Sequence, residues 1–227
     1  MTSPRAKRGF TLVELLVVIG IIALLISILM PALTRSRDQA IRVQCMNNVR
    51  QLLVGCHMYV NDNKQNWIFC NWLSQEGKQP LGWLYKYPKL SNPEDVEASA
   101  LFPYLKVRDP YRCPLDTPPY LHGVTHNLTS YLMNGAANQY GKMTPKNDPV
   151  YYRITKFPMN GIAFWEAPDN EGWNDGSSTP DERMTLRHGK GAIFGCFGGH
   201  VEWMTFADAE REWKKPQPLN RLFIYFN

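Results

Sequence analysis

The chain has no internal repeat and no low-complexity tract. It also lacks G-x-S-x-G, a Walker phosphate loop and a dinucleotide fingerprint anywhere in its 227 residues. Charge is sparse, at 20% of residues, and its small positive excess is badly placed for a nucleic-acid face. Arg5, Lys7 and Arg8 supply +3 of the net +5, and Arg35, Arg37, Arg42 and Arg50 against Asp38 supply a further +3. The remainder is close to neutral, which argues against a dedicated nucleic-acid binder. Disorder is excluded from the other side, because 44% of residues are apolar and 12% aromatic. The length suffices to bury one sizeable core in one or two domains.

What is present begins at the start of the chain. From Leu15 to Met30 only Gly20 and Ser27 are not plainly apolar. As a helix, residues 10–33 would reach about 36 Å, enough for a hydrocarbon core of about 30 Å. The basic residues ahead of the run should stay in the cytoplasm and leave the C-terminal bulk outside. A cleaved secretory signal has a shorter apolar stretch, and Met30-Pro31-Ala32-Leu33 is a poor A-x-A cleavage site. A plain anchor does not account for Glu14. A carboxylate near the start of an apolar run is costly and calls for a partner or a function.

The segment Lys7-Arg8-Gly9-Phe10-Thr11-Leu12-Val13-Glu14-Leu15-Leu16 closely resembles the processing motif of type IV pilins and type II secretion pseudopilins. The resemblance implies that a prepilin peptidase cuts between Gly9 and Phe10 and methylates the new N-terminal Phe10. Glu14 then becomes the fifth residue of the mature chain. It implies further that the Glu14 carboxylate pairs with the N-terminal amine of a neighbouring subunit, which neutralises both charges and sets the register of assembly. Pro31 falls where pilin-type helices often carry a helix-bending proline. The partners implied are the peptidase, other pseudopilin subunits and the inner (cytoplasmic) membrane, with no nucleic acid.

Beyond Pro31 the pattern stays helical and turns amphipathic. Ile41, Cys45, Val49, Leu52, Leu53, Cys56 and Val60 recur at steps of three and four, while Arg42, Asn47, Asn48, Arg50 and Gln51 fall largely on the other face. Asn61-Asp62-Asn63 should stop the helix. If unbroken at Pro31, the helix would be a rod of about 78 Å. From Trp67 the texture changes to short apolar pieces between Pro, Gly and Asn. Residues 130–134 and 162–166 read as strands, and 192–197 with 200–203 as a hairpin turning at Gly198-Gly199. The expected fold is α+β and pilin-like: a long N-terminal helix, half membrane-spanning and half amphipathic, on a small antiparallel sheet of about four strands with long loops. The expected divisions are a leader over 1–9, the spanning half over 10–33, the amphipathic half over 34–63 and an extracytoplasmic head over 64–227.

Cys45-Met46-Asn47-Asn48-Val49-Arg50-Gln51-Leu52, Cys113-Pro114, Ser130-Tyr131…Asn134 and Arg187-His188-Gly189 resemble motifs of a large pseudopilin-like family named for an H-x9-D-G signature. Here the Asp position after His188 is Gly198, so any role that needs that carboxylate falls away from it. An extracytoplasmic chain with five cysteines invites disulfides, and the odd count leaves at least one unpaired. Cys45 and Cys56 would lie about 16 Å apart along one helix and cannot pair with each other. The resemblance suggests Cys45 with Cys113, since both sit in its motifs; five buried thiols is the other reading.

Other candidate chemistry is thinner. His122 and His126 have a metal-gripping spacing but loop-like residues between them, and His188 and His200 flank the hairpin. Asp169, Glu171 and Asp175 lie in an acidic, glycine-bearing loop whose oxygen donors suit calcium, although the spacing matches no EF-hand. Trp72, Trp83 and Trp173 either pack in the core or form a glycan- or protein-binding platform. The leading expectation is a structural subunit of a pseudopilus or pilus-like filament of a type II secretion-like system, and not an enzyme. The alternative is a membrane-anchored adaptor whose head recognises secreted cargo or polysaccharide.

Overall fold

The computed structural model describes residues 11–71, 81–86, 92–118, 127–139, 150–168, 176–179, 184–185, 187–216 and 220–222. They fall into two compact units divided between Ala40 and Ile41. The helices are α1 (Leu12–Asp62), α2 (Phe102–Leu105) and α3 (Phe206–Trp213), and the strands are β1 (Tyr131–Asn134), β2 (Ile162–Glu166), β3 (Ser177–Ser178), β4 (Gly191–Cys196) and β5 (Val201–Thr205).

In the first unit α1 is apolar on nearly every side from Leu15 to Leu33. Its most hydrophobic window has a mean hydropathy of 3.1, and none of it is buried by the rest of the chain. Such a helix, bare of protein on every side, is long and apolar enough to cross a bilayer. Pro31 lies inside α1 and does not end it. A proline there removes one backbone donor, and beside it the Thr34 hydroxyl donates to the Met30 carbonyl at 3.0 Å.

In the second unit the expected helical face is the buried one. Cys45, Val49, Leu52, Leu53, Cys56 and Val60 are all buried, and Ile41 packs at their edge. Asn48, expected on the polar face, is buried instead and donates from Nδ2 to the Arg112 carbonyl at 2.8 Å. Arg42 stays on that face but lays its guanidinium 4.6 Å from the centre of the Trp203 ring. The helix ends at Asp62, within the expected Asn-Asp-Asn stop.

The sheet has the order β3-β1-β2-β4-β5. Three strands expected from short apolar runs between turn residues are β1, β2 and β4, and the hairpin partner β5 runs antiparallel to β4 with Gly195 opposite Val201. One correction follows. The sheet is mixed, not wholly antiparallel, because the two-residue β3 pairs parallel to β1 through Met133–Ser177 and Asn134–Ser178. Two residues are too few to show a period in sequence.

Both faces of the sheet are covered. Tyr131, Met133, Ala163 and Ile193 pack toward the α1 side, whereas Leu132, Trp165, Ala192 and Phe194 pack toward Ala209 of α3 and Leu222. The strands alternate between these two cores. A register shift between Ile162 and Phe164 lets Ala163 and Phe164 face the same side. On the α1 side, Gly195 of β4 leaves room for the helix: a Cβ there would lie 2.6 Å from Val49 Cγ1 and 3.0 Å from Leu53 Cδ1. Trp83 belongs to this core and not to a surface platform. It is fully buried, donates from Nε1 to the Gly176 carbonyl at 2.7 Å, and stacks on Tyr111 with ring centres 6.0 Å apart. Trp72 and Trp173 lie outside the described residues.

Candidate functional site

The first described residue, Thr11, immediately precedes α1 and forms a reciprocal cap with Glu14. The Thr11 backbone N–H and hydroxyl each donate to Glu14 Oε2 at 2.8 Å, and the Glu14 N–H donates to Thr11 Oγ1 at 3.2 Å. This is the capping box T-x-x-E, in which a hydroxyl and a carboxylate three residues apart satisfy each other's orphan donors. The T-x-x-E spacing of Thr11 and Glu14 is the sequence signal for this cap. The cap holds Glu14 at the very start of the apolar helix and turns its carboxylate toward the N-terminal end. Gly9 and Phe10 lie outside the described residues.

A second convergence lies in the head. His188 Nε2 is 2.9 Å from Glu166 Oε1 and 3.5 Å from Cys113 Sγ, and Cys113 Sγ is 2.8 Å from Cys45 Sγ. The four ligand atoms lie within 4.8 Å of one another, and all four residues are buried. The His188 and Glu166 side chains are 1% and 0% exposed, so no water relieves either charge. Each residue comes from a different segment: Cys45 from α1, Cys113 from the loop after the short 3-10 turn Asp109–Tyr111, Glu166 from the end of β2, and His188 from the turn before β4. Cys45 and Cys113 are separate thiols in this arrangement, not a bonded pair.

The surroundings orient these groups. Glu166 Oε2 accepts the Ile193 N–H at 3.1 Å, and the Cys113 N–H donates to Ser130 Oγ at 2.9 Å. Ser130 passes its own hydroxyl hydrogen to Asp116 Oδ2 at 2.6 Å. Asp116 also meets Arg112 at 3.1 Å and Arg187 at 3.6 Å. Burial pushes the Glu166 carboxyl up, against the pull of His188. Burial works against the His188 imidazolium too, but Cys113 and Glu166 outweigh it and raise the ring to about 9. The hydrogen bond from Cys45, helped by His188 and the Leu115 amide, holds the Cys113 thiol below its ordinary range. The same bond, with burial, pushes Cys45 up.

Cys45, Cys113 and His188, from three separate segments of the sequence, thus come together, and Ser130 sits behind them. The carboxylate is the part the sequence did not reveal. Glu166 faces His188, while a Cβ at Gly198 would stand 2.7 Å from the Met159 carbonyl oxygen. Glu166 reads in sequence only as the last residue of an apolar strand. His188 and His200 do not join one site, because His200 groups with Cys196 and Glu202 instead. The calcium candidates Asp169, Glu171 and Asp175, and the histidines His122 and His126, lie outside the described residues.

Residues 4–30 match the family model described as the prokaryotic N-terminal methylation motif. The match takes in Gly9, Phe10 and Glu14 and says nothing of the C-terminal resemblance. No curated protein and no solved structure matches the chain. This motif, running into an apolar helical stretch that the rest of the chain leaves bare, is the feature that type IV pilins and pseudopilins share, and it supports a pilin- or pseudopilin-like protein.

Proposed function

We propose that the chain is a structural subunit of a pseudopilus or pilus-like filament of a type II secretion-like system. In this reading the leader is cut at Gly9, the helix stays in the inner membrane until assembly, and the head lies outside the cytoplasmic membrane. The methylation motif over residues 4–30 supports the reading, because a leader cut at Gly9 would leave a capped Glu14 close to the new N-terminus. The apolar N-terminal stretch of α1, left bare by the rest of the chain, suits both storage in a bilayer and helix-to-helix packing in a filament. The role is structural, so deletion should stop export of folded proteins or filament growth without removing any reaction.

Processing comes first and is directly measurable. Gly9 has no side chain, so a peptidase can approach the backbone closely there. Intact-mass analysis of membrane-extracted protein should show loss of residues 1–9 and one methyl group on Phe10. Gly9→Leu should leave the leader in place in essentially all molecules. A mature N-terminus after Ala32, or an unprocessed Met1 in the unmodified chain, contradicts the reading. A fully processed chain that is scarce and never found in sheared filaments favours the anchored adaptor.

A further inference from the structure

We propose that the head carries a structural zinc ion bound by Cys45, Cys113, Glu166 and His188. The ligand set is two sulfurs, one imidazole nitrogen and one carboxylate oxygen, a combination that borderline-soft zinc accepts with tetrahedral geometry. All four donor atoms lie within 4.8 Å of one another and are closed off from solvent, as a structural site requires.

The way His188 is used distinguishes this from a nucleophilic relay. A Cys–His–carboxylate relay engages the cysteine through one ring nitrogen and the carboxylate through the other. Here the same Nε2 faces both Cys113 Sγ at 3.5 Å and Glu166 Oε1 at 2.9 Å. One nitrogen offers one hydrogen or one lone pair, and it cannot serve both in line. Donors converging on a common point are what a central cation needs.

The distances can be compared with an ideal site. Zinc bonds of about 2.3 Å to sulfur and 2.0–2.1 Å to nitrogen or oxygen give tetrahedral edges of about 3.5 Å for S–N, 3.3 Å for N–O and 3.8 Å for S–S. The Cys113–His188 edge matches at 3.5 Å, and the His188–Glu166 edge is shorter at 2.9 Å. The two sulfurs, at 2.8 Å, would part by about 1 Å around the ion. That separation is well beyond a disulfide bond of about 2.05 Å. The outer contacts are those of a metal site: Ile193 N–H holds the second oxygen of Glu166, and the Leu115 amide points at the Cys113 sulfur.

Binding would release to solvent whatever protons Cys45, Cys113, His188 and Glu166 hold beforehand, with no change in oxidation state. The ion would tie α1 at Cys45 to the Cys113 loop, the end of β2 and the turn before β4. A Cys45–Cys113 disulfide is the exclusive alternative, because it consumes both sulfur donors.

The test uses the full chain extracted into detergent without air or added reductant. Elemental analysis should find about one zinc per chain. A strong chelator should lower Tm by more than about 10 °C, and zinc alone should restore it. Cobalt exchanged into the site should show a thiolate-to-metal charge-transfer band. Cys113→Ser and His188→Ala should each lose the zinc, while Cys196→Ser should keep it. If Cys113→Ser does not fold, the cobalt spectrum of the unmodified chain decides, since thiolate charge transfer supports the site and its absence overturns it. A metal-free chain two hydrogens lighter than the reduced form, with a linked Cys45–Cys113 peptide, overturns the proposal. So does zinc retained in His188→Ala. Filament assembly is read separately, so loss of this site leaves the pilin-like role standing.

Discussion

Replacing Glu14 with leucine should abolish filament assembly while the chain still inserts and its head still folds. Glu14 sits at the first turn of an apolar helix, more than two dozen residues before the head unit begins at Ile41. Leucine there makes the segment easier to insert, because a carboxylate in an apolar span is costly. What is lost is a negative charge at the end of the helix where a neighbouring subunit would bring its Phe10 amine. The capping box raises a competing explanation, since Glu14→Leu also removes the bond to the Thr11 N–H, typically worth about 1 kcal/mol of helix end. Glu14→Gln separates the two causes. Glutamine can still reach back to the Thr11 N–H, so the cap survives and only the charge goes. Assembly should fail in Glu14→Gln as completely as in Glu14→Leu, scored as sheared filament at matched membrane levels. Normal filaments from Glu14→Gln would make the residue a helix cap and nothing more.

The second large effect belongs to the head. Gly195→Leu should destabilise it by about 3 kcal/mol or more, the upper end for overpacking a core. Gly195 faces α1 from the second-last strand of the sheet order, and its missing side chain is the space that Val49 fills. Val49 cannot swing aside cheaply, because branching at Cβ restricts its χ1. Even Gly195→Ala would put a Cβ 2.6 Å from Val49 Cγ1, with an expected cost of about 1–2 kcal/mol. The signature is in the double variant: adding Val49→Ala to Gly195→Ala should recover part of the loss, although Val49→Ala alone destabilises. Strictly additive losses in denaturant titrations of the full chain would show that the helix and strand are not in contact at this point.

The elements legible in the sequence are those with a helical period or with a short apolar run between turn residues. The buried stripe from Cys45 to Val60 follows steps of three and four, and the strands at 131–134, 162–166 and 191–196 are short runs between turn residues. What escaped is structure without a period. Ser177 and Ser178 form a strand because Met133 and Asn134 lie beside them, not because serine favours one. Asn48 looks polar and solvated in a helical projection, yet it is buried because the Arg112 carbonyl needs a donor. Glu166 shows the limit most clearly. Nothing local marks it as a site residue, and its role arises only when β2 ends opposite the turn that carries His188.

Glu14 and Phe10 of adjacent subunits are the pair on which the account turns. Filaments grown from a mixture of isotopically light and heavy subunits can be treated with a zero-length carbodiimide, which joins a carboxylate only to an amine in direct contact. A Phe10–Glu14 linked peptide with one light and one heavy half is expected, and it should be absent from Glu14→Gln. Finding Phe10 linked to Glu14 only within one isotopic label, or finding Phe10 still preceded by Gly9 in the filaments, would contradict it.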